Sequence, residues 1–160
     1  MISISTENLA QLLPVAVQWV AAKEQVALEN GIALTTDQAA DAAAAGVRRP
    51  EAIRIFRVAQ IPLPKHPILK AAVDTAGLIS PRTAAIAFRY GIFVKSAFVQ
   101  HREVIVHEMV HTAQYENLGG ISPFLEQYLS QCLAVGYHQA PLEAAAAATA
   151  ARICQTSTPA

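Results

Sequence analysis

His101-Arg-Glu-Val-Ile-Val-His107-Glu108-Met109-Val110-His111-Thr-Ala-Gln-Tyr-Glu-Asn117 is the stretch on which the reading of this chain turns. Its periodicity is helical. At about 100° per residue, with His107 at zero, His111 falls at about 40°, Val104 at about 60°, Tyr115 at about 80° and Glu108 at about 100°. Ile105, Met109, Ala113, Val106 and Val110 fill the arc from about 160° to about 300°. One face is therefore an apolar stripe for a core, and the other carries both histidines with a glutamate at its border. Residues four apart stand one turn above each other, so the two imidazoles project toward a single point. Chance supplies roughly 0.01 copies of His-Glu-x-x-His in 160 residues holding five histidines and nine glutamates.

Two imidazoles converging from one helical turn form most of a tetrahedral Zn²⁺ site, and catalytic zinc accepts two histidines and one glutamate with water in the fourth place. Glu108 is placed to reach such a water without ligating the metal. The metzincin pattern needs glycine at position 114 and histidine at position 117, where this chain has Gln114 and Asn117. The third ligand must come from elsewhere, and Glu116, Glu126, Glu143 and His138 lie downstream. Glu116 falls at about 180° on the wheel and cannot turn back to the metal of its own helix. Gly119-Gly120 ends the motif helix, and Ser122 with Pro123 reads as a cap and first turn of a helix running to about Val135. After Gly136 and the short turn Tyr137-His-Gln-Ala-Pro141, a third helix carries Glu143 in its first turn. That out-and-back path favours Glu143, with Glu126 and His138 left as alternatives.

His107-Glu108-Met109-Val110-His111 followed 32 residues later by Glu143-Ala-Ala-Ala146 resembles the gluzincin pattern of zinc metallopeptidases. The wider run from Ile86-Ala-Phe-Arg-Tyr-Gly-Ile-Phe-Val through the motif to Gly-Tyr-His-Gln-Ala-Pro-Leu-Glu is similar to small bacterial zincin-like domains, over roughly residues 50 to 150. The resemblance implies a zincin-like α+β fold, mostly helical, with a small sheet whose strand lies beside the substrate cleft. It implies zinc on His107, His111 and Glu143, and Glu108 as general base. Tyr137 and His138, just ahead of Glu143, are candidate donors to the oxyanion. Gln114 and Tyr115 are candidates to support the ligands. The alanines after Glu143 offer little polarity of their own to orient its carboxylate.

The rest of the chain reads as scaffold of one domain, helical over 1–46, with strands, motif helix and C-terminal helices over 50–154. Leu13, Val17, Val20, Ala21 and Leu28 recur at helical spacing from Leu12 to Asn30, with Pro14 as a start or kink and Gly31 as the stop. Thr35 or Thr36 can cap an alanine-rich second helix that Gly46 ends. Ile53-Arg-Ile-Phe-Arg-Val58 reads as a strand. Pro62, Pro64 and Pro67 form a connector to a short helix from Ile68 to Ala76, closed by Gly77. Ile86, Phe88, Tyr90, Ile92 and Val94 alternate like a half-buried strand or a hairpin turning near Gly91. His101 reads as solvated near the start of the motif helix, and His66 as lacking a partner among the prolines.

Twelve Lys and Arg against twelve Asp and Glu, with 15% charged residues, leave no field to hold nucleic acid or an anionic membrane. The apolar run from Asn8 to Ala22 carries Gln11, Pro14 and Gln18 and is too short to span a bilayer, and no basic segment precedes it as in a secretory signal. Cys132 and Cys154 lack Cys-x-x-Cys spacing; they read as reduced, in a cytoplasmic setting. The expected activity is zinc-dependent hydrolysis of a peptide or protein substrate. A zinc-bound but idle regulatory domain and a metal-free helical interaction module are the competing classes. Oligomeric state and substrate sequence are not encoded in any motif.

Overall fold

The computed structural model describes residues 6–156, an α+β arrangement of helices around a small mixed sheet. Helix α1 (Thr6–Asn30) begins earlier than its periodicity predicts, with Pro14 inside it. The positions it buries are Leu12, Ala16, Val20, Glu24 and Ala27. Leu13 and Val17 are only half-buried, and Ala21 and Leu28 are exposed. Val20 is buried as expected, the other expected positions are each offset by one residue, and a carboxylate lies within the stripe. The two-residue strand β1 (Ile32–Ala33) follows, too short for any periodicity to mark. Helix α2 (Thr36–Ala44) opens with a capping box, in which the Thr35 hydroxyl accepts from Gln38 N and the Gln38 side chain accepts from Thr35 N, satisfying two backbone donors at once.

Strand β2 (Arg54–Val58), helix α3 (Pro67–Ala76) and the hairpin β3 (Ala85–Phe88) and β4 (Gly91–Lys95) come next. The strand order is β1-β2-β4-β3. β2 runs parallel to β4, whereas β1 on β2 and β3 on β4 are antiparallel. Of the two readings of residues 83–99, the hairpin is the one formed, with Arg89-Tyr90 as its turn. Strand alternation sorts the core into two layers. Ile55, Ala85, Ala87, Ile92 and Val94 pack with Val106, Met109 and Ala146. Phe88 and Phe93 pack on the opposite face with Leu12, Val20 and Leu69. On that second face Trp19, Phe88, Phe93 and Phe56 meet edge to face in sequence, with ring centroids 5.0–5.2 Å apart. The small side chains of Ala85 and Ala87 let the motif helix lie close against the edge strand.

That helix, α4 (Arg102–Leu118), starts at His101, whose imidazole Nδ1 accepts from Val104 N at 3.3 Å. It ends in Gly119 and Gly120, both at positive φ (102° and 129°), a reversal that glycine makes without side-chain strain. Helix α5 (Ile121–Val135) follows directly, its N-cap being Gly120 rather than Ser122. Pro123 still falls in the first turn, where its missing N–H is not needed. A 3₁₀ turn over Tyr137–Gln139 leads to α6 (Pro141–Thr156). Among the described residues no helix is long and apolar enough to cross a membrane. Cys132 is buried, Cys154 is partly buried, and both are free thiols.

Candidate metal centre

Helix α4 presents His107 and His111 with ring centroids 4.9 Å apart. The first turn of α6 brings Glu143 between them. Its Oε1 lies 2.6 Å from His107 Nε2 and its Oε2 lies 2.9 Å from His111 Nε2. One ligand atom from each of the three lies within 4.8 Å of the others. His111 and Glu143 are withdrawn from solvent, at 6% and 4% exposed, and His107 is partly buried.

The fixing of two of the three, His111 and Glu143, is visible one layer out. Gln114 Oε1 sits 2.8 Å from His111 Nδ1, where it accepts that nitrogen's proton and leaves the Nε2 lone pair facing the centre. The same side chain donates through Nε2 to the Leu142 carbonyl at 2.9 Å. From α5, Gln131 Oε1 accepts from Leu142 N at 2.8 Å, and the Tyr128 hydroxyl donates to Glu143 Oε2 at 2.9 Å. Leu142 is thus clamped at both its backbone groups, and the ligand that follows it is aimed by a phenol. The polarity that the alanine context of α6 lacks is supplied by a neighbouring helix.

Do these atoms fit a metal ion? Bonds of about 2.0–2.1 Å in tetrahedral geometry place neighbouring ligand atoms about 3.3 Å apart. The observed 2.6 and 2.9 Å are hydrogen-bond separations. The donor set is of the right kind, two imidazoles and a carboxylate with ligand atoms within 4.8 Å of one another, and the two hydrogen-bonded contacts open by under an ångström to take an ion. Without a cation a proton must do the bridging. Burial depresses the basicity of His111, but the hydrogen bond with Glu143 and the charges of Glu108 and Glu143 outweigh it and hold the imidazole above its ordinary value. Burial likewise raises Glu143, and the hydrogen bonds from His107 and His111 overcome it, driving this carboxyl well below the usual range.

Glu108 is 8% exposed and stands beside the pair. Burial pushes its carboxyl up, against the pull of His111 and His107, and the Ala87 backbone hydrogen-bonds to it. The pleat of the edge strand explains why Ala87 is available. Lys95 N donates to Ala84 O, so alternate residues Ile86 and Phe88 complete the ladder with β4, while the peptide groups of Ala85 and Ala87 point away from it. At Ala87 the carbonyl is engaged by α4, accepting from the Tyr115 hydroxyl at 3.2 Å.

Tyr137 lines the cavity beside Glu108, His111 and Glu143. Its hydroxyl is held neutral, raised by burial and by its contact with Glu143. His138 does not join the cluster; it is exposed, its ring against the edge of Tyr137 at 5.1 Å. Glu126 is exposed on α5. Glu116 points away, as the wheel requires, accepting from Tyr90 Oη at 2.7 Å and Arg48 N at 2.8 Å. His66 is the exposed N-cap of α3 without a side-chain cap bond. Tyr128 and Gln131 are the site residues that sequence reasoning missed. Their only local signal is that Tyr128 follows Phe124 by four residues and shares its face.

No protein-family model, no curated protein and no solved structure matches this chain. The functional reading therefore rests on its own residues.

Proposed function

We propose that this chain is a zinc-dependent hydrolase of peptide bonds, built on a zincin-like scaffold of the gluzincin kind. The observation that carries the proposal is the convergence of His107, His111 and Glu143 on one point with Glu108 beside them. Two nitrogens and one carboxylate oxygen are the donor set of catalytic zinc, and three protein ligands leave a position open. A zinc ion held by these three residues would supply Lewis acidity to the scissile carbonyl and to the attacking water. Glu108, buried beside His107 and His111, takes a proton from the attacking water and passes it to the leaving amine. Tyr137, a neutral phenol on the same cavity, donates to the carbonyl oxygen as charge builds on it. His138, on the outside, is the weaker candidate for that role. A peptide or protein substrate, and a reducing compartment such as the cytoplasm for two free thiols, complete the reading.

One observation favours the second reading, a zinc-stapled domain that binds without cleaving. The outward carbonyl of Ala87 already accepts from Tyr115, so it is not free to pair with a substrate strand. Elemental analysis and Glu108→Gln separate the classes. Stoichiometric zinc in both proteins, with peptide hydrolysis in the wild type reduced by about 10²–10⁴ in the variant, is expected. Protein without zinc refutes both metal readings, and equal hydrolysis by the variant refutes the base.

A further inference from the structure

Glu116, on the side of α4 turned away from the metal centre, borders a second and more open cleft. Arg48, Arg49 and Arg89 line it together with Glu24, Glu116 and Tyr90, so three guanidinium groups face two carboxylates. One positive charge is in excess there. The chain as a whole carries no net charge, and the local imbalance follows from how the two carboxylates are used.

Glu24 takes Nε and Nη2 of Arg89 at 2.7 Å each and cancels that charge. Glu116 instead reaches Arg48 and Arg49 through their backbone. Its Oε1 accepts from Arg48 N at 2.8 Å, and its Oε2 accepts from Arg49 N at 3.2 Å and from Tyr90 Oη at 2.7 Å. Three neutral donors fill this carboxylate, and neither neighbouring guanidinium is hydrogen-bonded to it. Arg48 Nη2 donates only to the Glu116 carbonyl, at 3.1 Å. Among the described residues the Arg49 guanidinium makes no hydrogen bond; its Nε stands 3.7 Å from Glu51, with both side chains more than half exposed.

The same contacts fix where these charges stand. One carboxylate from α4 holds two consecutive peptide N–H groups, and Pro50 restricts the backbone of Arg49 from the other side. Arg49 and Arg89 both lie against the Tyr90 ring, each Cζ 5.6 or 5.7 Å from its centroid, within the range of cation–π attraction. At the end of α4 the carbonyls of Tyr115 and Glu116 are already engaged by Gly119 N, Gly120 N and Arg48 Nη2. Leu28 and Ala52 add a small apolar wall.

We propose that this cleft is an anion site separate from the metal centre, and that it takes a phosphate monoester bearing a small aromatic or aliphatic group. A phosphate monoester brings about −1.5 to −2 charge and three acceptor oxygens, enough for the forks of both Arg48 and Arg49. A carboxylate has two oxygens and one charge and satisfies a single fork. The ester group rests on Leu28 and the Tyr90 ring.

Phenyl phosphate titrated into the full chain, with chelator present so that it cannot meet zinc, tests this by amide NMR. One saturable site is expected, with shifts centred on Arg48, Arg49, Tyr90 and Gly120 and not on His111. Benzoate should bind at least about tenfold more weakly, through the single fork it can fill. Arg49→Ala leaves the N–H that Glu116 holds and removes an exposed side chain, so the fold is retained. It should weaken phenyl phosphate by about 10–100-fold, the usual worth of hydrogen bonds to a charged group, and Arg49→Lys should recover part of the loss. Arg57→Ala, at an exposed arginine that donates to Ser96 instead, should stay within twofold of wild type. Absence of saturable binding, shifts centred on His111, or equal losses in Arg49→Ala and Arg57→Ala overturn the site. Benzoate binding as tightly as phenyl phosphate overturns the assignment to phosphate.

Discussion

Helix α4 carries buried charge on two sides, and the two clusters are built on opposite principles. On one side Glu24 of α1 accepts from Arg89 Nε and Nη2 at 2.7 Å each and from Tyr90 N at 3.0 Å. Tyr90 in turn donates to Glu116 of α4, and the Thr112 hydroxyl donates to the Arg89 carbonyl. Both oxygens of Glu24 meet a guanidinium that is charged at every relevant pH, so the cluster is complete as it stands. It also holds Arg89 at φ 55°, a left-handed conformation unusual for a residue with a side chain. On the other side Glu143 lies between two imidazoles whose charge is conditional. The first is a self-sufficient clamp; the second needs a cation or a proton to complete it.

Substitutions on the two sides should therefore fail in different ways. His111→Ala removes one of three ligands and should weaken zinc binding at least about a thousandfold, since structural sites hold the ion by ~10–16 kcal/mol in total. Its fold should survive, because the His107–Glu143 contact and the Tyr128 hydroxyl still engage the carboxylate. Glu24→Gln is the converse. It leaves Arg89 without its carboxylate, and because that arginine is 37% exposed it regains hydration, so the loss should be about 2–3 kcal/mol rather than the ~3–5 of a fully buried pair. Denaturant unfolding measures that cost, and zinc titration of the same variant should give an affinity within twofold of wild type. A parallel fall in zinc affinity would show the clusters coupled through Thr112 and Arg89 and would break the distinction.

How far each cluster was legible in the sequence follows from how local its determinants are. The histidines, Glu108 and the start of α6 are fixed by helical period and by glycine and proline punctuation, all short-range, so their convergence could be read from order and turn positions. Glu24 interrupts an apolar repeat, and a carboxylate in a buried stripe demands a donor. Nothing local says that the donor is Arg89, 65 residues on. Tyr128, Gln131 and the one-residue offset of the packing stripe on α1 depend on how α5 and α1 lie against their neighbours, which periodicity does not encode. β1 is invisible for a simpler reason: two residues carry no pattern.

A finer test lies within the metal side. Gln114 is the single side chain that touches both His111 and the residue before Glu143. Gln114→Ala should weaken zinc affinity by about 10–100-fold, the usual effect of losing a ligand's hydrogen-bond partner, while the unfolding midpoint of metal-free protein changes little. Gln114→Glu keeps an acceptor for His111 Nδ1 and loses the donor to Leu142, so it should recover part of the loss. Full recovery would assign the effect to the imidazole alone, and no recovery would assign it to the clamp on α6.

The smallest effect is the dependence of stability on pH, and its sign separates the clusters most cleanly. In metal-free protein His111 has a raised pKa. The stability it contributes is complete below the ordinary histidine value and is lost as pH rises through the raised one. Glu143 has a lowered pKa, so its contribution is present above the ordinary carboxyl value and is lost as pH falls through the depressed one. Metal-free protein should therefore be most stable between these limits and should weaken on going alkaline. Zinc requires neutral imidazoles, so with the ion bound the alkaline limb should reverse and stability should rise with pH across the histidine range. The Arg89 guanidinium titrates in neither window, and Glu24→Gln should lower both curves without changing their shape. Thermal unfolding of wild type and this variant from pH 4 to 9, with zinc and with chelator, reads all four curves. Parallel curves with and without zinc would mean that the imidazoles do not meet the ion, leaving the His107–Glu143–His111 contact as a second structural clamp.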